Sequence, residues 1–223
     1  DTDHGEADLA CVLACRPDAV LLPKVENPQH VRDLSQRLRK LDPSHTIRIW
    51  AMMETPLAVI RAAQIAEAAH EAQWPLDCFV IGLNDLRKLT KVPHRQDRAF
   101  LIAWLMQIVL AGRAFGLTVI DAVYNDFRDM AGFEDEIGQA KAMGFDGKML
   151  IHPAQIEPAN RVFSPDKAEI IKARSIIAAF SDPSAAGLGV LNLDGEMIER
   201  LHLEQAEALI ELADQMDRRQ TSS

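Results

Sequence analysis

Five short runs of nearly continuous apolar residues punctuate the chain: AVLLPKV at 19–25, IRIWAMM at 47–53, CFVIGL at 78–83, LTVIDAV at 117–123 and KMLI at 148–151. Runs that do not alternate are how strands read when both faces of a parallel sheet are covered. Between them the period lengthens to that of helices, over residues 27–41, 56–72, 98–115 and 131–143. Asn27-Pro28 and Thr55-Pro56 read as N-cap plus proline at the first helical position. Gly116 and Gly144 stand where helices should stop. The rhythm is β-α repeated, so the predicted class is α/β with parallel strands. The later residues differ. Two more helices are predicted over 155–163 and 166–181, followed by a small-residue joint, SDPSAAGLG, at 181–189. A short apolar stretch at 190–193 meets a turn at Asp194-Gly195, and a last amphipathic helix is predicted from about 196 to 217. The expected division is therefore 1–180, the sheet and its helices, and 181–223, an appendage serving as lid or oligomer arm. Residues 218–223 are polar and expected to fray.

Composition narrows the function classes. The 223 residues are 26% charged and 48% hydrophobic, which excludes disorder, collagen and coiled coil, and the length allows a sizeable core. The net charge of −9 repels phosphate backbones and anionic membranes, so neither nucleic acid nor membrane is an expected partner. Aromatic residues, at 5%, are too few for a base-stacking surface. Three cysteines, Cys11, Cys15 and Cys78, fit a reducing, cytoplasmic setting. Cys11 and Cys15, spaced as neighbours on one helical face, are expected to be small buried residues and not zinc ligands. The longest apolar run, 100–112, is broken by Gln107; it is too short to span a bilayer and reads as a buried helix. The chain opens at Asp1 and not at Met, with a helix-like segment directly after, and further polypeptide upstream is expected.

Candidate chemistry is set by strand polarity, since parallel α/β folds build their sites at the C-terminal ends of strands. Each run ends in polar groups: Lys24 and Glu26, then Glu54, then Asn84 and Asp85, then Asp121, then His152. Glu54 and Asp85 are the sharpest pair. Two carboxylates on neighbouring strand ends suit Mg²⁺, which keeps several waters and takes one or two protein oxygens. Equally, both fit as acids capping the next helices. Lys24 offers an amine for a substrate carboxylate or a Schiff base, but an ion pair with Glu26 or a neighbouring strand-end acid is the plainer expectation. His152 offers a base, against a structural histidine before proline. Asp121 needs a partner if buried, and Lys148 after Gly147 is a weak phosphate candidate.

These segments also resemble a known family. DAVLLPKVE (18–26), MMETP (52–56), FVIGLNDL (79–86), GFDGKMLIHPAQI (144–156) and DGEMIE (194–199) are similar to motifs of the citrate lyase beta-subunit-like acyl-thioester lyases, relatives of malyl-CoA and citramalyl-CoA lyases. The resemblance implies a (β/α)8 TIM barrel with the five runs as strands four to eight and the first three outside this chain. It implies Mg²⁺ held by Glu54 and Asp85, substrate contact at Glu54, Asn84 and Asp85, and an acid/base at Glu199 that reaches a neighbouring subunit's site. The family's usual residue there is Asp; here the carboxylate is one methylene longer, and a surface role is the alternative. The implied activity is Mg²⁺-dependent cleavage of a 3-hydroxy-3-carboxyl acyl thioester, carried by CoA or a carrier protein, in a trimer-based homo-oligomer. A class II pyruvate-type aldolase acting on free acids and a non-catalytic subunit of a larger lyase complex are the rivals.

Overall fold

The computed structural model describes residues 5–41, 47–71, 76–185 and 187–221. Helix α1 (Gly5–Cys15) leads into β1 (Ala19–Leu22), α2 (Pro28–Leu41), β2 (Arg48–Met53), α3 (Pro56–Ile60) and α4 (Ala62–Glu71). Then come β3 (Leu76–Ile81), α5 (Leu83–Thr90), α6 (Ile102–Ala114), β4 (Thr118–Asp121), α7 (Met130–Ala142) and β5 (Gly147–Lys148). The five strands form one sheet in the order β1-β2-β3-β4-β5, and every neighbouring pair is parallel. Each strand is thus laid beside its predecessor by a crossover that carries helix. The described residues form an open sheet and no closed barrel.

The two faces of the sheet are unequal. Ile49, Ala51 and Met53 of β2, Phe79 and Ile81 of β3 and Val119 of β4 are fully buried beneath the helices. The fit there is close: a Cβ on Gly112 of α6 would stand 2.4 Å from Cγ2 of Val119. On the opposite face Leu21 and Thr118 are exposed, and Trp50, Met52 and Ile120 are half-buried. The buried indole Nε1 of Trp50 has no hydrogen-bond partner. Cys78 and Val80 of the central strand β3 are only 1% exposed on this same face, so the apolar runs do mark strands, with the second face covered at the centre and more open toward the edges.

Several expectations are corrected. Cys11 and Cys15 are exposed, because α1 buries only Leu9 and its apolar residues are spread around its circumference; Cys78 is buried. The helix expected over 56–72 is broken at Arg61 into α3 and α4, and residue 72 lies outside the described residues. The apolar helix α6 is buried along one stripe only: Leu105 and Ile108 are fully covered while Leu110 is 71% exposed. No helix among the described residues is long and apolar enough to cross a membrane.

After β5 a short 3-10 turn (Pro153–Gln155) precedes α8 (Ile156–Phe163). By its contacts the chain divides into two compact units, Asp1–Ala159 and Asn160–Ser223. The second holds α9 (Lys167–Ser181), β6 (Val190–Leu193), β7 (Glu196–Glu199) and α10 (Arg200–Thr221). The division precedes the joint at 181–189 because α9 packs with the elements beyond that joint: Ala173 and Ile176 of α9 share a core with Ile198 of β7 and Ala206 of α10. Asp166 and Glu169 close a reciprocal capping box at the start of α9. The last helix starts at Arg200 and not near 196. Asp194 and Gly195, both at positive φ (52° and 88°), make a two-residue hairpin turn that sends 196–199 back along β6 as an antiparallel strand. Its far end is also corrected, since α10 continues to Thr221 where fraying was expected from 218.

Candidate active site

The strand ends of the first unit are tied to one another by polar contacts. Lys24 sits just past β1 at φ 52°, and its backbone N–H donates to Oε1 of Glu54 at 2.8 Å. The expected ion pair of Lys24 is not formed among the described residues; its ammonium is exposed, and the backbone makes the contact to the neighbouring acid. Glu54 comes directly after β2 and is 4% exposed. It is not a helix cap. Thr55 takes that role, with extended backbone and Oγ1 accepting from the N–H of Ala58 at 3.1 Å. Asn27 likewise accepts from Gln29 N–H at 2.9 Å ahead of Pro28.

Glu54 lies directly against the backbone of Gly82, the first residue after β3. A Cβ on Gly82 would come 2.4 Å from Cβ of Glu54 and 3.0 Å from its Oε2. Any side chain at 82 would therefore displace the Glu54 carboxylate. Gly82→Ala is expected to cost about 1–3 kcal/mol of stability through overpacking, seen as a lower urea midpoint. A variant with an unchanged midpoint would show that Glu54 has room to move.

Gly82 is also the N-cap of α5, and it supplies no side-chain hydrogen bond. The first N–H groups of α5 are left open, as helix starts leave them. Asp85 stands in this first turn and is exposed. It is not the cap, and no hydrogen bond or ion pair engages its carboxylate among the described residues. The dipole of α5 favours a negative charge there. Asn84 pairs amide to amide with Asn125, past the end of β4: each donates Nδ2 to the other's Oδ1, at 3.2 and 2.8 Å.

The β4 and β5 ends are joined by Gln155. Its buried amide accepts from Ile151 N–H at 3.0 Å and donates to the carbonyl of Tyr124 at 3.1 Å. Tyr124 in turn donates its hydroxyl to Asp129 at 2.7 Å. Burial, and then the Asp129 carboxylate, push the phenol pKa up, while the Gly132 N–H and the Tyr124 hydroxyl hold Asp129 below the usual carboxylate range. His152 serves structure: Nδ1 accepts from Ala154 N–H at 3.1 Å, and the ring stacks on Phe127 at 4.7 Å and 9°.

Beneath this mouth lies a buried charge cage. Nη1 of Arg98 donates to both oxygens of Asp121, at 2.9 and 2.8 Å. Nζ of Lys148 donates to Asp121 at 2.8 Å and to Glu136 at 2.7 Å. The side chains of Arg98, Asp121 and Lys148 are 0% exposed and that of Glu136 is 5% exposed. Gln139 of α7 accepts from Arg98 Nε at 2.7 Å. Within the cage each of these four charges faces an opposite one, as burial requires; Arg87 interacts with the same group at longer range. Lys148 is thus fully committed inside the protein and is not a phosphate ligand. Asp121 has the partner that its apolar setting demanded, and it holds the strand ends rather than substrate.

Glu199 belongs to the second unit, at the end of β7. Its carboxylate engages no partner among the described residues. Gly82, Asn125, Gln155 and Arg98 were not singled out from sequence. Gln155 lies inside the GFDGKMLIHPAQI segment, but nothing in the local pattern marks Arg98, which stands in the polar stretch HRQDR.

Two carboxylates, one buried with Oε2 turned toward a glycine cradle and one exposed at an uncapped helix start, fit a hard divalent cation that keeps most of its waters. Among the described residues no group of three or more His, Cys, Asp or Glu forms a metal cage.

The chain is similar to known proteins in sequence and in fold. Residues 1–153 match the family model described as HpcH/HpaI aldolase/citrate lyase. The chain is 44% identical over 203 residues to a (3S)-malyl-CoA thioesterase of Cereibacter sphaeroides, covering 91% of this chain and 67% of that protein. It is 30% identical over 220 residues to citrate lyase subunit beta of Escherichia coli K12, covering 96% and 71%. Among solved structures, protein CitE of Mycobacterium tuberculosis in complex with magnesium, acetoacetate and coenzyme A superposes with a TM-score of 0.70 at 28% identity, covering 96% of this chain and 74% of that one.

Proposed function

The chain belongs to the HpcH/HpaI aldolase/citrate lyase family, and on that premise we propose that it is a Mg²⁺-dependent carbon–carbon lyase of a 3-hydroxy-3-carboxyl acyl thioester. Citramalyl-CoA, malyl-CoA and a citryl thioester are the substrates of that class. The observation that carries this is the seating of Glu54: buried, tied by one oxygen to Lys24 N–H and pressed on Gly82, three residues before Asp85. The open sheet is one arc of a (β/α)8 barrel. Its half-bare apolar face, with an unpartnered Trp50 indole, is what such an arc presents to the barrel's interior.

Glu54 and Asp85 would hold the metal. Bound there, Mg²⁺ supplies a Lewis acid for the substrate's hydroxyl and adjacent carboxylate. Glu54 and Asn84 orient the substrate. The hydroxyl proton passes to solvent water, the bond to the thioester α-carbon breaks, and its electron pair enters the thioester as an enolate. The open N–H groups at the start of α5 offer donors to that oxyanion. Glu199 delivers a proton to the α-carbon. The products are an acetyl thioester and a 2-oxo acid. Glu199 acts in a neighbouring subunit's site, in a trimer-based assembly.

The test is thioester release from each of the three CoA substrates, with Mg²⁺ and with EDTA, and with the free acids alongside. EDTA-sensitive formation of acetyl-CoA plus a 2-oxo acid is expected from one of them. Turnover of free acids alone would overturn the assignment. The 44% identity to a thioesterase favours a second outcome, hydrolysis of the same substrate to CoA and a free hydroxy acid. Product analysis separates the two: hydrolysis leaves the carbon skeleton whole.

A further inference from the structure

The backbone N–H of Glu199 donates to Nδ1 of His202, in the first turn of α10, at 2.9 Å. A ring nitrogen accepts only while it carries no proton, so this bond requires the neutral imidazole with its hydrogen on Nε2. It satisfies one N–H that the start of a helix would otherwise leave open. It also anchors the peptide from which the Glu199 side chain projects. We propose that His202 is a positioning residue that holds Glu199 in its working orientation, and does so only while its ring is neutral. This rests on the reading of Glu199 as the proton carrier.

His202 lines a groove of about 230 Å³ with Glu169 and Lys172 of α9 and Gln205 of its own helix. Glu196 of β7 is the further carboxylate that interacts with it electrostatically. Both of these acids are engaged elsewhere. Glu196 accepts from Nζ of Lys172 at 2.7 Å, which lowers its pKa, and Glu169 accepts from Asp166 N–H at 2.8 Å in the α9 capping box. No ion pair to His202 is formed among the described residues. Acid would therefore convert an acceptor into a donor facing another donor, and Glu199 would lose its anchor.

The test uses the full chain and whichever thioester the wild type turns over. His202→Ala is expected to lower kcat on the order of 10–10²-fold with KM unchanged, the cost of a misplaced catalytic group. His202→Gln is expected to recover most of that loss, because glutamine reaches back to the N-cap N–H at this helix position. The wild type should lose kcat on its acid limb, while the Gln variant, with no ring to titrate, holds its rate further into acid. A wild-type kcat in the Ala variant, or an acid limb in the Gln variant identical to wild type, overturns the proposal. If the Ala variant fails to fold, the Gln variant's pH profile decides alone. Glu199→Gln is run alongside. Its silence, with an unaffected Ala variant, rejects His202 only; its full activity rejects Glu199 as the proton carrier and the proposal with it.

Discussion

Glu54→Gln is expected to reduce Mg²⁺-dependent thioester turnover by more than about 100-fold, the upper range for a residue that merely supports a metal ligand, and to leave the fold intact. The amide keeps an oxygen for Lys24 N–H and nearly the same volume against Gly82, so packing should survive. What it loses is the charge, and a hard cation takes charged oxygens first. The measurement is activity against Mg²⁺ concentration, with the thermal midpoint as the control for folding. Gly82→Ala attacks the same carboxylate by shape instead of charge. The two residues touch, so the double variant should lose less than the sum of the two. A Glu54→Gln protein that kept full EDTA-sensitive activity would remove Glu54 from the site.

Lys148→Met is expected to cost about 3–5 kcal/mol of stability, the usual penalty for orphaning buried charge. It takes from Asp121 and Glu136 the ammonium that donates to both, leaving them Arg98 close by and Arg87 at longer range. Two further outcomes identify the cause. Protonating a carboxylate offsets the positive charge taken away, so the deficit relative to wild type should shrink as pH falls. Adding Glu136→Gln removes the acid that has lost its ammonium partner and should recover part of the loss. Urea midpoints at neutral and mildly acid pH check both. A deficit that does not change with pH, or a double variant no better than Lys148→Met, would mean that lost packing and not charge sets the cost.

The strands were legible in the sequence because a buried parallel strand is apolar without alternation, and five such runs with helical spacing between them leave little other topology. The same lack of alternation hid the inequality of the faces. Trp50 and Met52 look as buried as Ile49 and Ala51 along the chain, and only tertiary packing separates them. Glu54 and Asp85 were legible as first carboxylates after strands, but whether they capped helices was not: Thr55 and Gly82 take those positions. The strand at 196–199 was hidden by its glutamates, which read as a helical start, although Asp194-Gly195 is a strong hairpin signal. The charge cage was out of reach of local pattern altogether. Arg98 finds Asp121 23 residues away, and Lys148 reaches back 27 residues to the same carboxylate.

The strand order has a consequence for how the chain comes off the ribosome. Because β1 to β5 lie side by side in the order of synthesis, each new strand emerges after its neighbour and can dock on an edge that already exists. The sheet can grow in one direction, one crossover at a time, with no strand held waiting for a later partner. Its charges keep a different schedule. Arg98, Asp121 and Glu136 all leave the tunnel before Lys148, so the two acids lack the ammonium they share until the last strand of the sheet arrives. The arrival of β5 therefore does more than lengthen the sheet: it is the step at which Asp121 and Glu136 gain the ammonium that bridges them.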